Sequence, residues 1–481
     1  MTGVRKYGVL GAIAATLALS ACVDEQIVYR DKPLFEDPPQ NAVGFLGYSN
    51  VETKQTTCGN CHAGQQVAWK ESAHADAWAS LQASDHAADY CNDCHTISAL
   101  GNVASGGTLV AYAATKDGRY EDVQCESCHG AGLPHVQDPS NFQPKASILA
   151  AEDATDGCGE CHTDVHHPFV GEWEQSRHAQ IDAHVAERIE ANWAAESATT
   201  GCGSCHEGKI ALKNKFGVTS EYAEQGSDGH TLVGITCVVC HDPHGNGNAA
   251  QLRKLANASD PMDNLCFQCH NRGARPSGGT SRNYPHAAQG PTIFGEIGWL
   301  PPGFTTDRIY GTHSSEANEG LCATCHLANF TVNDKATGAF TMSTTGHLFK
   351  ALPCLDPVTG VPSGDESCTM TQRSFKGCVD SGCHGSEASA RSATIAVESR
   401  LTNLSVELKR LVGLARAKVP ADWNNDAVVT VVEGADFNAN IFGLEGSGLH
   451  GDYSRGVHNP FLIEALLNSS ITYIKQYYAI Q

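Results

Sequence analysis

Residues 58–74 read CGNCHAGQQVAWKESAH, and the pattern that opens this stretch recurs along the whole chain. Cys58 and Cys61 are separated by two residues, and His62 follows the second cysteine directly. Another histidine, His74, comes twelve residues after His62. The fold therefore depends on what the Cys-x-x-Cys-His unit holds and on which group His74 reaches.

The Cys-x-x-Cys-His unit occurs eight times in this form and once with four residues between the cysteines. The cysteine pairs are Cys58/Cys61, Cys91/Cys94, Cys125/Cys128, Cys158/Cys161, Cys202/Cys205, Cys237/Cys240, Cys266/Cys269, Cys322/Cys325 and the longer Cys378/Cys383. The histidines that follow them are His62, His95, His129, His162, His206, His241, His270, His326 and His384. These nine motifs take 18 of the 21 cysteines.

This motif is the attachment signature of c-type haem. The two thiols form thioethers with the haem vinyl groups, and the adjacent histidine ligates the iron as its proximal ligand. Zinc sites and redox disulfides also use Cys-x-x-Cys, but neither requires a histidine directly after every pair. We therefore predict nine covalently attached haem c groups. The longer spacing at Cys378/Cys383 also occurs in some multihaem cytochromes.

Composition agrees with a chain built around cofactors. Only 7% of its 481 residues are aromatic, so its apolar core is expected to be small for its length. The haems would fill the interior, and the chain is expected to be unfolded without them. We predict a mainly α and irregular-loop fold with little β, organised around a closely packed chain of covalent haems. The net charge of −21 argues against nucleic acid as a partner.

His74 is expected to ligate a haem other than the one that His62 holds. Twelve residues of helix span about 18 Å, whereas two axial ligands of one iron face each other closely. Fourteen histidines lie outside the motifs, enough for a second ligand at every haem. The distal candidates are His74, His135, His178, His230, His244, His286, His313, His347 and His458. The remaining histidines are His86, His166, His167, His184 and His450, with His166 and His167 as the first substitutes.

Few thioether ligands are available, because the chain has 4 methionines including Met1. Most haems are therefore expected to have two histidine ligands, and haems without methionine ligation have low potentials. This composition favours a low-potential electron carrier.

Two segments behind haem motifs repeat each other. Residues 69–75 (WKESAHA) match residues 173–179 (WEQSRHA). Both resemble the W-x-x-S-x-H-A helix of the multihaem cytochromes related to the tetrahaem carrier of ammonia oxidisers, pentahaem nitrite reductase and octahaem hydroxylamine oxidoreductase. In that superfamily the helix supplies a distal ligand. Residues 125–135 (CESCHGAGLPH) and 237–244 (CVVCHDPH) fit the same group.

The resemblance also implies a distal ligand in residues 456–460, GVHNP. The local chemistry agrees, since Asn459 is a good N-cap and Pro460 suits the first helical position. The pattern predicts a helix over 461–478, with His458 just before its N-terminus.

The N-terminus is predicted to be a targeting segment. A basic start precedes an apolar run, residues 9–19, which is too short to span a bilayer. Residues 19–22 (LSAC) resemble the lipobox of bacterial lipoproteins, which implies cleavage before Cys22 and a lipid anchor on it. Val23 in place of aspartate then favours the outer membrane. The alternative is an ordinary signal peptide with a chance cysteine.

The motifs divide the chain into successive parts. These are 1–21 (signal peptide), 22–56 (tether), 57–150 (haems 1–3), 151–255 (haems 4–6), 256–385 (haems 7–9) and 386–481 (C-terminal helical region). The first two groups of three carry the W-x-x-S-x-H-A segment after their first haem, which suggests duplication; the third group lacks it.

Two further features lie near the last motif. A helix is predicted over about 386–418, and its stripe of apolar residues is expected to pack on a haem-bearing face or a partner subunit. The stripe is Leu401, Leu404, Leu408, Leu411 and Ala415. Cys354 and Cys368 favour a disulfide in an oxidising compartment, with free thiols or an intermolecular bridge as alternatives.

The favoured function is electron transfer at the bacterial cell envelope, to another redox protein or an extracellular acceptor. One alternative is a nitrite- or hydroxylamine-type enzyme with one open haem. The nitrite reductases that the chain resembles commonly mark that haem with a lysine, whereas all nine motifs here end in histidine. A second alternative is a homo-oligomer or filament, in which one subunit donates a distal histidine to the next.

Overall fold

A computed structural model describes residues 35–481 apart from ten gaps. The gaps are 103–108, 152–155, 164–166, 226–230, 278–283, 306–308, 310, 380–381, 425 and 444–450. The predicted signal segment, the lipidation site Cys22, and His166, His230 and His450 lie outside the described residues. Residues Asp37–Gln481 group into one compact unit.

Short helices make up most of the regular structure. The α-helices are α1 Ala63–Lys70, α2 Ala77–Gln82, α3 Asn92–His95, α4 Ala111–Thr115, α5 Cys125–His129, α6 Leu133–Gln137, α7 Phe169–Glu174, α8 Ala183–Ala191, α9 Trp193–Glu196, α10 Gly203–His206, α11 Gly208–Phe216, α12 Cys237–Cys240, α13 Gln289–Ile293, α14 Cys322–His326, α15 Lys376–Val379, α16 Glu387–Lys418, α17 Val431–Ile441 and α18 Pro460–Tyr478. The 3-10 helices are Gln40–Ala42, Cys58–Asn60, Ala73–Asp76, Asp89–Cys91, Gly118–Tyr120, Cys158–Glu160, Ala249–Gln251, Cys266–Gln268, Thr312–Ser314, Met370–Gln372 and Pro420–Asp422.

The strands form small antiparallel pairs. They are β1 Tyr48–Asn50 with β2 Gln55–Thr56, β3 Thr331–Asn333 with β4 Phe340–Ser343, and β5 Cys354–Leu355 with β6 Pro362–Ser363. In β3–β4, Val332 lies opposite Met342. The predicted fold class, mainly α and loop with little β, is confirmed.

Each haem motif lies on or beside a helical turn, which brings its residues together. In the first motif the backbone N–H of His62 donates to the carbonyl of Cys58 at 2.9 Å. In the longer ninth motif, His384 N–H donates to the carbonyl of Cys378 at 3.3 Å, across six residues.

The C-terminal helices enclose the largest apolar cluster of the described residues. Helix α16 has Ser386 as its N-cap and runs to Lys418, which confirms the predicted helix. Leu401, Leu408 and Leu411 are fully buried in it. The expected packing partner was wrong: the stripe packs on α17 and α18 of this chain, because those helices bring their own apolar faces to it.

Helix α18 also follows the prediction, with one more residue at its start. It begins at Pro460, and the side chain of Asn459 accepts a hydrogen bond from Leu462 N–H at 3.1 Å. The N-cap is fully buried. The residue before it, His458, is therefore held rigidly at the entrance of this helix.

Part of the proposed tether, 22–56, is packed structure. Phe45 is fully buried against Ile97 and Tyr120. Tyr120 Oη donates to the carbonyl of Phe45 at 3.0 Å, and β1–β2 follows directly. Apolar burial thus brings residues 42–56 into the folded body, which begins before residue 57.

A disulfide joins Cys354 and Cys368, whose Cα atoms are 5.9 Å apart. It encloses the β5–β6 hairpin just before the ninth motif. In the described part of the chain, no helix combines the length and apolar character needed to cross a membrane.

Candidate haem sites

Eight motif histidines lie opposite a second histidine at nearly one distance. The ring centroids are 6.2 Å apart in His62–His135, 6.1 Å in His162–His74, 6.4 Å in His95–His167, 6.1 Å in His129–His244, 6.2 Å in His270–His178, 6.2 Å in His206–His286, 6.2 Å in His241–His347 and 6.2 Å in His326–His458. At the ninth motif, burial lowers the pKa of His313 and the neighbouring His384 lowers it further. The structure thus places a second imidazole opposite eight motif histidines, and His313 interacts electrostatically with the ninth, His384.

This distance fits two imidazoles on one iron atom. A metal–imidazole nitrogen bond is about 2 Å long. Adding on each side the distance from that nitrogen to its ring centre gives roughly 6 Å between centroids. The interplanar angles vary widely, from 16° in His129–His244 to 72° in His178–His270. A shared iron fixes the separation and leaves rotation about the axis free, whereas direct ring stacking favours particular angles.

His162 lies near two candidate partners. Its ring is 6.1 Å from His74 and 6.3 Å from His167. Pairing it with His167 would leave His95 and His74 without a partner at this spacing among the described ring pairs. The assignment that serves every motif histidine is therefore His74 with His162 and His167 with His95.

Burial keeps several of these imidazoles neutral, which is the form that ligates iron. It lowers the pKa of His178 to about 3, with His270 adding to the effect. Burial likewise lowers the pKa of His326 and of His347 to about 4. Their lone pairs are therefore available for a metal at neutral pH.

Thiols from different motifs lie beside one another. Hydrogen-bond contacts join Cys58 to Cys125, Cys94 to Cys161, Cys158 to Cys237, Cys205 to Cys269 and Cys266 to Cys322. Electrostatic interactions link Cys128 to Cys158, Cys240 to Cys266, and Cys325 to both Cys378 and Cys383. Numbered along the chain, the motifs form the path 1–3–4–6–7–8–9, with motif 2 beside motif 4 and motif 5 beside motif 7.

The repeated W-x-x-S-x-H-A segments make equivalent contacts. In the first copy, Trp69 Nε1 donates to the carbonyl of Val123 at 2.9 Å. The N–H of Val123 donates back to the carbonyl of His74 at 3.1 Å. Val123 lies two residues before the third haem motif, so the segment behind motif 1 is fastened to motif 3.

The second copy repeats this arrangement three motifs later. Trp173 Nε1 donates to the carbonyl of Ile235 at 2.8 Å, and Ile235 N–H donates to the carbonyl of His178 at 2.8 Å. Ile235 lies two residues before motif 6. The two copies deliver their histidines to motifs 4 and 7 respectively, also three motifs apart. These contacts agree with a duplicated three-motif unit.

A buried glutamate that sequence reasoning missed positions one candidate ligand. Glu172 on α7 accepts hydrogen bonds from His347 N–H at 2.8 Å and from Thr345 N–H and Oγ1 at 2.9 and 2.7 Å. It thereby links the second group of motifs to the loop that presents His347. No sequence pattern around Glu172 indicates that it would bind the His347 loop.

The distal candidates fall into three classes. Seven of the nine lie opposite a motif histidine at this ring spacing, His313 interacts electrostatically with His384, and His230 is outside the described residues. His167, assigned to the reserve, faces His95. His86 lies in an exposed loop and His184 in helix α8. His167 follows motif 4 by five residues, a proximity that sequence alone does not separate from that of His166.

No group of three or more His, Cys, Asp or Glu side chains suited to a bare metal ion occurs among the described residues. The residues present instead fit haem c: paired thiols on a helical turn, an adjacent histidine and a second imidazole across from it. The motif cysteines would hold the porphyrin, and the histidine pairs would hold its iron.

Comparison with known proteins points to the same chemistry. Residues 57–130 match the family described as cytochrome c554 and c-prime, and residues 230–275 match the doubled CXXCH motif. Over 190 residues the chain is 27% identical to the multiheme cytochrome MtrA of Shewanella baltica (strain OS185), covering 39% of this chain. That alignment spans 54% of the relative, about half its length.

A solved structure shares the fold. It is an undecaheme cytochrome from the S-layer of Carboxydothermus ferrireducens, with a TM-score of 0.52 and 20% identity. The likeness covers 97% of this chain and 72% of the other. Because the family matches fall on the motifs whose geometry suits a bis-imidazole iron, we conclude that the chain is a multihaem c-type cytochrome and that its cofactor is haem c.

Proposed function

We propose that this chain transfers electrons through nine haem c groups. The observation that carries the proposal is the second histidine opposite eight of the nine motif histidines, at ring-centroid distances of 6.1–6.4 Å. An iron with two histidine ligands has no position left for substrate, but it exchanges electrons with little rearrangement. Two histidine ligands and no methionine also give low potentials.

The contacts between motif thiols give the proposed route. Thioether sulfurs lie at the porphyrin edge, so motif thiols that hydrogen-bond or interact electrostatically indicate haem edges that lie near each other. Electrons would pass along haems 1, 3, 4, 6, 7, 8 and 9, with haems 2 and 5 as branches. Cys61 and Cys383, at the two ends of this route, are exposed. Motifs 1 and 9 are therefore the proposed docking points for redox partners or an extracellular acceptor.

We place the protein in the bacterial cell envelope. The LSAC sequence at residues 19–22 supports cleavage before Cys22 and a lipid anchor, with Val23 favouring the outer membrane. The likeness to a protein of an S-layer supports a location at the cell surface. The resemblance of residues 69–75 and 173–179 to the W-x-x-S-x-H-A helix supports membership of the superfamily named above.

Spin-state spectroscopy tests the function. We expect the oxidised holoprotein to give low-spin electron paramagnetic resonance signals throughout. A substantial high-spin signal that responds to nitrite or hydroxylamine would instead support an enzyme with an open haem. Mass spectrometry of the mature protein counts the cofactors: nine haems are expected, and eight would show that Cys378/Cys383 is not used.

A further inference from the structure

His458, the histidine opposite His326, hydrogen-bonds a buried carboxylate. Its Nδ1 lies 2.6 Å from Asp452 Oδ1, and Asp452 is 1% exposed. Ser454 Oγ donates to the other carboxylate oxygen and accepts from His458 N–H at 3.2 Å. The backbone of Asp452 is tied to α17 through the carbonyl of Ile441 at 2.8 Å. The carboxylate is thus fixed in position on the ring of His458.

Other histidines of the haem pairs contact neutral acceptors through Nδ1. Backbone carbonyls accept from His95, His129, His135, His241, His313 and His326. Gln289 Oε1 accepts from His270 at 3.1 Å, and Thr345 lies beside Nδ1 of His347 at 3.0 Å. Within this pair, Nδ1 of His326 therefore contacts a backbone carbonyl, whereas Nδ1 of His458 contacts a carboxylate.

A carboxylate also lies near His244, in the pair with His129. Asp242 Oδ1 lies 3.8 Å from His244 Nδ1, beyond hydrogen-bonding distance. Asp242 also pairs with Arg253 at 3.3 Å, which offsets its charge. Half of the His244 side chain is exposed, so solvent screens what remains. This contact differs from the buried, directly bonded Asp452.

We propose that Asp452 is a positioning residue that lowers the reduction potential of the haem at Cys322/Cys325 by hydrogen-bonding the axial ligand His458. This inference rests on the proposed function only in requiring a haem at motif 8 with His326 and His458 as its ligands. With Nε2 on the iron, Nδ1 carries the proton and donates it toward the carboxylate. The ring gains partial imidazolate character and becomes a stronger donor.

The direction of the effect follows from charge. Reduction adds one electron to the ferric iron, and a more basic ligand stabilises the ferric state over the ferrous state. Burial strengthens the effect, because little solvent screens Asp452. Haem 8 lies between haems 7 and 9 on the proposed route. A lowered potential there makes the transfer of an electron onto haem 8, from either side, less favourable than it would be without the carboxylate.

The first test is Asp452→Asn in the holoprotein, measured by redox titration followed by electron paramagnetic resonance. The asparagine oxygen still accepts from Nδ1, so ligation and the low-spin signal are kept while the charge is lost. One haem is expected to be reduced at higher potential. Its ratio of reduced to oxidised form at a fixed potential should rise about tenfold, which is 59 mV for a one-electron couple.

Asp436→Asn is the matched control. Asp436 is a partly buried acid on α17 whose charge faces Lys409 and Arg416, and it is not part of a described histidine pair. The same loss of one charge in the same helical region should leave every haem potential nearly unchanged. An equal shift in both variants would mean that net charge, and not the contact to His458, sets the potential, and would overturn the proposal.

Gln289→Glu provides the reverse experiment at a different haem. Gln289 already contacts His270 Nδ1 and is partly exposed, so a glutamate there can ionise. It should lower the potential of one haem, at Cys266/Cys269. If Asp452→Asn detaches His458 and gives a high-spin haem, the Gln289→Glu variant decides the proposal by itself. A lower reduction potential of the haem at Cys266/Cys269 supports the proposal, and an unchanged potential overturns it.

The outcomes separate this inference from the proposed function. Low-spin spectra in the wild type and both variants, with no potential shifted, would overturn the role of Asp452 and leave electron transfer intact. A ligand-responsive high-spin haem at motif 8 in the wild type would overturn both the axial role of His458 and the proposed route through that haem.

Discussion

The C-terminal helices and the haem-bearing segment of 57–385 are stabilised in different ways. In the former, Leu408, Phe437 and Leu466 belong to one fully buried cluster shared by α16, α17 and α18. In the latter, the larger apolar clusters are small: one holds six buried residues, and another holds four together with Ala42 and Phe45 from the preceding segment. One region carries a conventional apolar core, and the other leaves its interior to cofactors. We therefore expect one part of the chain to need haem to fold and the other part to be stabilised by its own apolar core.

Polar contacts supplement the small clusters of the haem-bearing segment. Buried Glu126 accepts backbone N–H groups from Leu46, Gly47 and Gly132. Glu172 does the same for the loop of His347. Each glutamate fastens one loop to the turn that carries it. Where side chains cannot pack on each other, directed hydrogen bonds place the loops.

The largest expected effect is that of withholding haem. Chain produced without the haem-attachment machinery should lose tertiary structure over 57–385, because the cofactors that fill its interior are absent. Helices α16, α17 and α18, of 32, 11 and 19 residues, should keep much of their helicity. Hydrogen exchange followed by mass spectrometry measures both regions in one sample. Equal loss of protection in the two regions would show that they fold as one unit.

Next in size is a cavity in the C-terminal core. Leu408→Ala removes a fully buried side chain from α16 and should cost about 2–5 kcal/mol of the free energy of unfolding of that region. Leu414→Ala, on the same helix but 41% exposed, is the control and should cost far less. Denaturant titration followed by circular dichroism measures the difference. Similar costs for the two would argue against a separate apolar core here.

The local elements could be predicted because their causes are local. The thiol pairs and adjacent histidines follow from attachment chemistry, and α16 and α18 from apolar spacing and from the caps at Ser386 and Asn459. The hairpin β1–β2 was missed because its burial depends on residues farther along the chain: Tyr48 packs on Trp69, and its hydroxyl donates to Asp122 Oδ2 at 2.7 Å.

Ligand pairing was less accessible to sequence reasoning. Helix length alone predicts that His74 ligates the haem of another motif. Which motif this is, the fourth, depends on tertiary contacts. His167, which the sequence placed among the substitutes, faces His95, and nothing in its spacing indicated that role. The carboxylate on His458 comes from a residue six positions earlier, and only the turn between them brings the two side chains together.

A smaller effect is expected from the polar fastening of a haem ligand. Glu172→Gln replaces a carboxylate that accepts three hydrogen bonds and should cost about 1–3 kcal/mol. His347 would then be held less firmly, and part of the haem at Cys237/Cys240 should become high-spin. Glu190→Gln, at an exposed position on α8, is the control. A loss of stability with fully low-spin spectra would show that Glu172 is structural without positioning His347.

The smallest expected effect tests whether the two repeated segments are equivalent. Trp69→Phe and Trp173→Phe each remove one indole hydrogen bond, to Val123 and Ile235 respectively, and each should cost about 0.5–1.5 kcal/mol. Trp78→Phe, whose ring packs on Tyr112 at 5.0 Å, controls for the loss of ring size. Thermal unfolding monitored through haem absorbance compares the three. Equal costs for Trp69 and Trp173 would support duplication of a three-haem unit. A loss of stability in only one of the two variants would mean that the segments share a sequence pattern but no longer share a structural role. The histidines that they carry, His74 and His178, would then be held by different contacts.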